Sequence, residues 1–215
     1  MLDGISLKLQ LAAVGVAAAL ASAGCGMMAP KAVQYVTPPD GTTWVQMRRD
    51  TGSYGSGSSQ VQFTFLGRRT WQGREMSAFE SEGVTTMMIP VVASFAAMLK
   101  GGNPMISWDP PAGWEWPLEV GKTWTKKSVV TIHAAKRSIP YEYTQTVEAH
   151  EEVTVPAGTL KVFRIKTVDT LGNENVQWFS SELSVFAKQS LRRTAKHAQG
   201  AGTREVELVS HTRAR

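Results

Sequence analysis

The sequence predicts a mainly β fold, in which antiparallel meanders form a curved or half-open β-barrel with one short helix against it. Three observations predict it. Val61, Phe63 and Phe65 alternate with Gln62 and Thr64, the period of a half-buried strand, and Leu160, Val162 and Phe163-Arg164-Ile165 make a second apolar-polar run that suits one. Turn chemistry falls between such runs, as in Pro156-Ala157-Gly158-Thr159, where proline presets φ and glycine accepts positive φ. An opening of the form Gly-x-Thr-Trp occurs twice, at Gly41-Thr42-Thr43-Trp44 and at Gly121-Lys122-Thr123-Trp124, each time after a proline and before a strand.

The chain divides into an export signal (1–24), a tether (25–40), a first β-meander with the short helix (41–116) and a second β-meander built around the Pro-Ala-Gly-Thr turn (117–215). Lys8 precedes an apolar run over 9–21, and small residues close it at Ser22-Ala23-Gly24-Cys25. That run is short of the roughly 20 residues a membrane span needs, and its charged start and small-residue exit describe a signal peptide. Cys25, the sole cysteine, stands where a lipoprotein signal peptidase would cut. Ser-Ala-Gly-Cys resembles the bacterial lipobox, which implies acylation of the Cys25 thiol and a membrane partner reached through that anchor. Ala21-Ser22-Ala23 also suits ordinary signal peptidase, which would leave a soluble exported protein. Gly26, rather than an aspartate, follows the cysteine, so the resemblance implies an outer-membrane lipoprotein facing the periplasm.

With the signal removed no cysteine is left to pair, and stability has to come from a core. A mature chain of about 190 residues buries roughly 70 % of its unfolded surface, which is enough. The formal net charge of +5 suits anionic headgroups or a merely soluble basic surface. No nucleic-acid partner is expected, and no cofactor. Pro30, Pro38 and Pro39 disfavour helix and ladder pairing in the tether.

In the first meander, 51–59 is rich in glycine and serine and reads as a hairpin loop. Trp71-Gln72-Gly73-Arg74 turns the next strand, and 75–81 returns. Over 84–99, Pro90 suits the first position of a helix, and Val91, Phe95, Met98 and Leu99 then share one face. Gly101-Gly102 would end it. Between the meanders, Trp108, Trp114 and Trp116 stand among Asp109, Glu115 and several prolines. Flat indoles beside carboxylates suit a ligand or partner surface, whereas the structural alternative is a connector whose tryptophans plug the open end of the barrel.

In the second meander the Pro156–Gly158 turn joins two strands, Leu171-Gly172-Asn173-Glu174 makes the next turn, and 175–180 carries Trp178-Phe179. Strands follow at 185–193 and around Val206 and Leu208, where Glu205 and Glu207 would pair with the preceding arginines on a wet face. This order of turn, strand, hairpin and Trp-aromatic strand, ending at Ser181-Glu182-Leu183, is similar to bacterial envelope domains of the DUF3108 and TapB-like group. The resemblance spans about 117–210. It implies an exported β-rich protein or lipoprotein and carries no catalytic residue. Where that pattern has Trp-Tyr-x-Pro-Glu-Leu-Gly, this chain has Trp178-Phe179-Ser180-Ser181-Glu182-Leu183-Ser184.

No complete catalytic pattern stands in the sequence. Gly121-Lys122-Thr123 resembles the end of a phosphate-binding loop, but Trp116 occupies the position of its first glycine. His133, His150, His197 and His211 lack the spacing that aims two imidazoles at one metal. Glu148, Glu151 and Glu152 have no second acid site to work with. The expectation is a non-catalytic envelope lipoprotein that presents a β surface to a protein or cell-wall partner. The alternative is a carrier of lipid or another hydrophobic ligand in a half-barrel groove, with 84–99 as its lid.

Overall fold

In the computed structural model, which describes residues 32–214, the chain folds into twelve antiparallel strands, with no helix among the described residues. They are β1 (Thr43–Gly52), β2 (Gly57–Trp71), β3 (Arg74–Ser81), β4 (Val84–Ile89), β5 (Ser94–Lys100) and β6 (Asn103–Ala112), followed by β7 (Thr123–Ile132), β8 (Arg137–Val155), β9 (Gly158–Asp169), β10 (Glu174–Ser180), β11 (Val185–Arg193) and β12 (Gly202–Thr212). Every strand pairs with its neighbours in sequence, and β1 also pairs with β12 from Thr43 opposite Thr212 to Gly52 opposite Gly202.

That last pairing corrects the half-open barrel: the sheet is closed and has no edge strand. It also reassigns the acids of β12. Glu207 meets Arg49 of β1 at 3.0 Å and Glu205 accepts from the Ser190 hydroxyl at 2.6 Å, while Arg192 turns to Glu174 at 2.9 Å.

The short helix expected over 84–99 is a second correction, since this stretch is the β4–β5 hairpin. Pro90 sits in the turn. Val91 and Ala93 take φ of 71° and 49°, which no right-handed helix contains. Thr85, Thr86 and Ile89 are β-branched and stiff at χ1, which favours the pleated sheet. The apolar run mimics a helical face because β4 and β5 bury side chains on both faces of the sheet, so period-2 alternation is lost: Met87 and Met88, like Ala96 and Ala97, are all buried. The loop expected over 51–59 is shorter than predicted, because Gly57, Ser58 and Ser59 already pair with Asp50, Arg49 and Arg48. Trp108 likewise lies inside β6 rather than in a connector, opposite Val130 of β7.

The two Gly-x-Thr-Trp openings occupy equivalent places. Gly41 N–H donates to Phe65 O at 2.8 Å, and Phe65 N–H donates to Thr42 O at 2.8 Å. Gly121 and Lys122 make the same two bonds with Val147, at 2.8 and 2.9 Å. A bulge follows each partner, between Phe65 and Gly67 in β2 and between Val147 and Ala149 in β8. Bulges recur on the β4–β5 pairing beside Met87 and Met88 and on the β10–β11 pairing beside Trp178 and Phe179. Six strands before Gly113 and six after it therefore repeat one pattern around the barrel.

Side chains at alternate positions fill the interior. Phe65, Phe163, Ile165, Val147 and Leu208 are almost completely inaccessible and dominate the packed part. The Pro156–Gly158 turn joins β8 to β9 with Gly158 at φ 124°, and Ala157 N–H donates to Leu208 O at 3.1 Å, fastening the turn to β12.

Candidate ligand-binding cavity

The barrel interior is not filled throughout. A cavity of about 420 Å³ runs between packed layers. One wall is aromatic and apolar: Trp44, Phe63 and Phe79 from β1 to β3, Met88 and Phe95 from the β4–β5 hairpin, and Trp108 from β6. Trp44 and Phe63 stack with centroids 5.2 Å apart and planes within 2° of parallel, and Phe79 meets both at 5.9 Å. Such ring contacts fix a rigid wall beyond what area burial gives.

The opposite wall carries amides and hydroxyls, from Gln46 (β1), Gln145 and Tyr143 (β8), Thr167 (β9), Asn175 and Gln177 (β10) and Gln189 (β11). Most are tied together. Gln46 donates to Phe186 O at 3.2 Å, Gln189 donates to Asn175 Oδ1 at 3.0 Å, and Gln145 donates to Thr167 Oγ1 at 3.0 Å. Gln177 lies between them and faces the cavity. No Asp, Glu, Lys, Arg or His lines it among the described residues. A site of this size and composition takes a small apolar body and offers it a few oriented hydrogen bonds.

At one end, the residues that precede β1 and β7 fold over the barrel. Val33 and Leu118 exchange backbone hydrogen bonds at 3.0 and 2.8 Å, and Tyr35 packs on Trp116 at 5.5 Å. Trp114 is buried, edge-on to Phe179 at 5.0 Å and to Phe186 at 5.6 Å. Trp116 donates its indole N–H to Val92 O at 2.9 Å. Gly113 N–H donates to the Tyr143 hydroxyl at 3.0 Å, and Lys122 and Lys126 donate to carbonyls of Glu115, Pro117 and Trp114. Burial pushes the Tyr35 hydroxyl up to about 12 and holds Lys126 below its ordinary range.

At the other end the β1–β2 turn lays Tyr54 against two guanidiniums, Arg193 at 3.8 Å and Arg204 at 4.7 Å from the ring centre. Arg204 grips both carboxylate oxygens of Asp50, at 2.7 and 2.8 Å, and this hydrogen bonding holds Asp50 below the usual carboxylate range. Along the inward side of β1 the order is therefore Trp44, Gln46, Arg48, Asp50: aromatic, amide, then charge.

The structure brings together two of the three tryptophans singled out from sequence: Trp108 and Trp114 both line the cavity, while Trp116 packs behind them. Trp178 points outward, donating to Glu151 at 2.8 Å with Lys188 over its ring at 5.4 Å. Glu148 and Glu151 both pair with Arg164 on the outer wall, at 3.1 and 3.6 Å, and line no part of the cavity. Among the described residues no group of three potential ligands could hold a metal. Cys25 lies outside the described residues. Sequence reasoning missed the amide wall, because glutamines at inward strand positions look like solvent-facing residues until closure decides which face is inside.

The closed twelve-stranded sheet thus surrounds an interior cavity whose walls are aromatic rings and amides. No protein-family model matches the sequence, those of the DUF3108 and TapB-like group included, and no curated protein matches it. Among solved structures the chain is similar to a candidate exported protein with a YmcC-like fold from Bacteroides fragilis, at 10% identity and TM-score 0.47, over 85% of this chain and 100% of that one. It is also similar to a candidate lipoprotein from Parabacteroides distasonis (10% identity, TM-score 0.46, 84% and 99% covered) and to the hypothetical lipoprotein YmcC of Escherichia coli (13% identity, TM-score 0.44, 81% and 89%).

Proposed function

We propose that this chain is a non-catalytic, exported barrel that carries a lipid or another hydrophobic small molecule in its interior, held at the membrane by an acyl group on Cys25. The observation that carries the reading is the cavity of about 420 Å³ with rings on one wall and amides on the other. Burying apolar ligand surface there contributes roughly 25 cal/mol per Å². The Gln177 amide and its neighbours orient a carbonyl, ester or hydroxyl. A buried carboxylate or phosphate would meet no cation in the cavity, so ionised groups are disfavoured inside. A lid over 84–99 is not needed in this version of the carrier reading, since that stretch is wall.

The test is native mass spectrometry of protein purified without detergent, alongside displacement of an environment-sensitive apolar probe. Wild type is expected to retain or exchange one neutral amphiphile per chain. Ala112→Trp, which fills the cavity from β6, is expected to abolish uptake while the barrel still melts cooperatively. A wild type that binds neither probe nor lipid, or a filled variant that binds as well as wild type, would sink the reading. Cys25→Ala tests the anchor separately, by loss of membrane attachment.

A further inference from the structure

The inward-facing glutamines of the barrel are not equally occupied. Gln145 is used in both directions, accepting from Trp124 at 2.9 Å and donating to Thr167 at 3.0 Å. Gln46 is fastened to Phe186 O at 3.2 Å. Gln189 stands directly opposite Gln177 across the β10–β11 pairing, yet its amide donates diagonally to Asn175 Oδ1 at 3.0 Å. Gln177 is left over. It is 6% exposed and lines the cavity, and neither its carbonyl oxygen nor its NH2 group has a hydrogen-bond partner among the described residues. Its neighbour on the β9 side is Ile165, fully buried and without a polar side-chain atom to offer. A buried amide without partners is costly, and folded proteins keep very few of them. The barrel ties its other inward glutamines, so the free one at the cavity surface marks where a bound molecule supplies the missing partners.

We infer that the ligand class of this cavity is an apolar molecule bearing a primary amide or a lactam, read by Gln177; the inference rests on the carrier reading above and narrows it. A carboxamide side chain presents a donor and an acceptor side by side, whichever way the group is turned. An ester accepts but cannot donate, and leaves the Gln177 carbonyl unpaired. A hydroxyl does both through one atom and meets the two amide atoms at poor angles. A carboxylic acid has both groups, but it is ionised at neutral pH, and no cation lines the cavity among the described residues. A primary amide or a lactam is neutral and carries N–H and C=O on one edge, so it closes a ring of two hydrogen bonds with Gln177. Asn175, two residues along the same face, has its oxygen taken by Gln189 and offers its NH2 as a further donor. The stacked Trp44 and Phe63 on the facing wall then cover the apolar body.

The test is displacement of prodan, a neutral solvent-sensitive dye, from the folded chain by dodecanamide, methyl dodecanoate and dodecanol. Wild type is expected to bind dodecanamide at least tenfold more tightly than the ester or the alcohol, because a buried site built to hydrogen-bond rejects analogues that leave its polar atoms unpaired. In Gln177→Leu that preference is expected to vanish, with the ester bound no more weakly than by wild type. The substitution exchanges an unpaired polar group for an apolar one of similar size, so the variant is expected to melt no lower than wild type. Equal affinity for amide and ester in wild type, or a preference that survives in Gln177→Leu, would overturn the amide assignment and leave the carrier reading standing. Neither prodan nor dodecanamide bound to wild type in native mass spectrometry would remove the carrier reading, and this inference with it.

Discussion

Trp124 donates its indole N–H to Gln145 Oε1 across 2.9 Å, and the two residues stand directly opposite each other on β7 and β8, both buried. Gln145 then passes its own amide hydrogen to Thr167, so one glutamine satisfies polar atoms on three adjacent strands. Replacing it strands the buried indole donor. Gln145→Ala is expected to cost about 1–3 kcal/mol in urea unfolding from the unpaired polar groups alone. The double variant with Trp124→Phe should lose less than the sum of the two singles, because the second change removes the donor that the first left without a partner. Strict additivity would mean that the bond contributes nothing.

Asp50 and Arg204 clasp the end of the barrel opposite the plug. The Arg204 hydrogen bond lowers the Asp50 pKa in the folded chain, with Coulombic attraction from Arg204 and Arg48 acting in the same direction. A carboxyl with a depressed folded pKa adds stability that is present above the unfolded pKa, near 3.9, and is lost as pH falls through the folded value. Wild type should therefore lose stability below about pH 4 more steeply than Asp50→Asn. At pH 7 the variant is expected to be weaker by roughly 1.5–3 kcal/mol, the scale of hydrogen bonds to charged groups. Parallel acid-side stability curves for the two proteins would show that Asp50 is not the group responsible.

Much of the fold was legible because local chemistry and global fold agree in the second half. The Pro156–Gly158 turn, the return through Ile165 and the strand carrying Trp178 stand where alternation and turn residues put them. Barrel closure was not legible, since it depends on β1 meeting β12 across nearly the whole chain. Nor was the β4–β5 hairpin: buried on both faces, it lacks alternation, and Pro90 carries the same local signature in a turn as at a helix start. For the cavity, Trp108 and Trp114 were visible as unusual residues, whereas Gln46, Gln177 and Gln189 were not. An inward glutamine differs from an outward one only by strand phase, which closure and bulges set.

Gly113 sets how closely the plug sits on the barrel. A Cβ built there would lie 2.5 Å from the Ser94 hydroxyl oxygen and 2.7 Å from the Ser94 Cα, so backbone would have to move. Glycine is required here by approach rather than by φ. Its N–H also bonds the Tyr143 hydroxyl, which lines the cavity. Gly113→Ala must therefore push Trp114 and the plug away from the start of β5, with an overpacking cost of about 1–3 kcal/mol. Because Trp114 lines the cavity, the displacement should also speed exchange of an apolar probe. Gly73→Ala is a control at a hairpin turn where a Cβ meets nothing within 4 Å; its strain comes from a φ of 73° alone. It is expected to lose stability through that strain without altering exchange. If both variants exchange at the wild-type rate, the plug does not limit access to the interior.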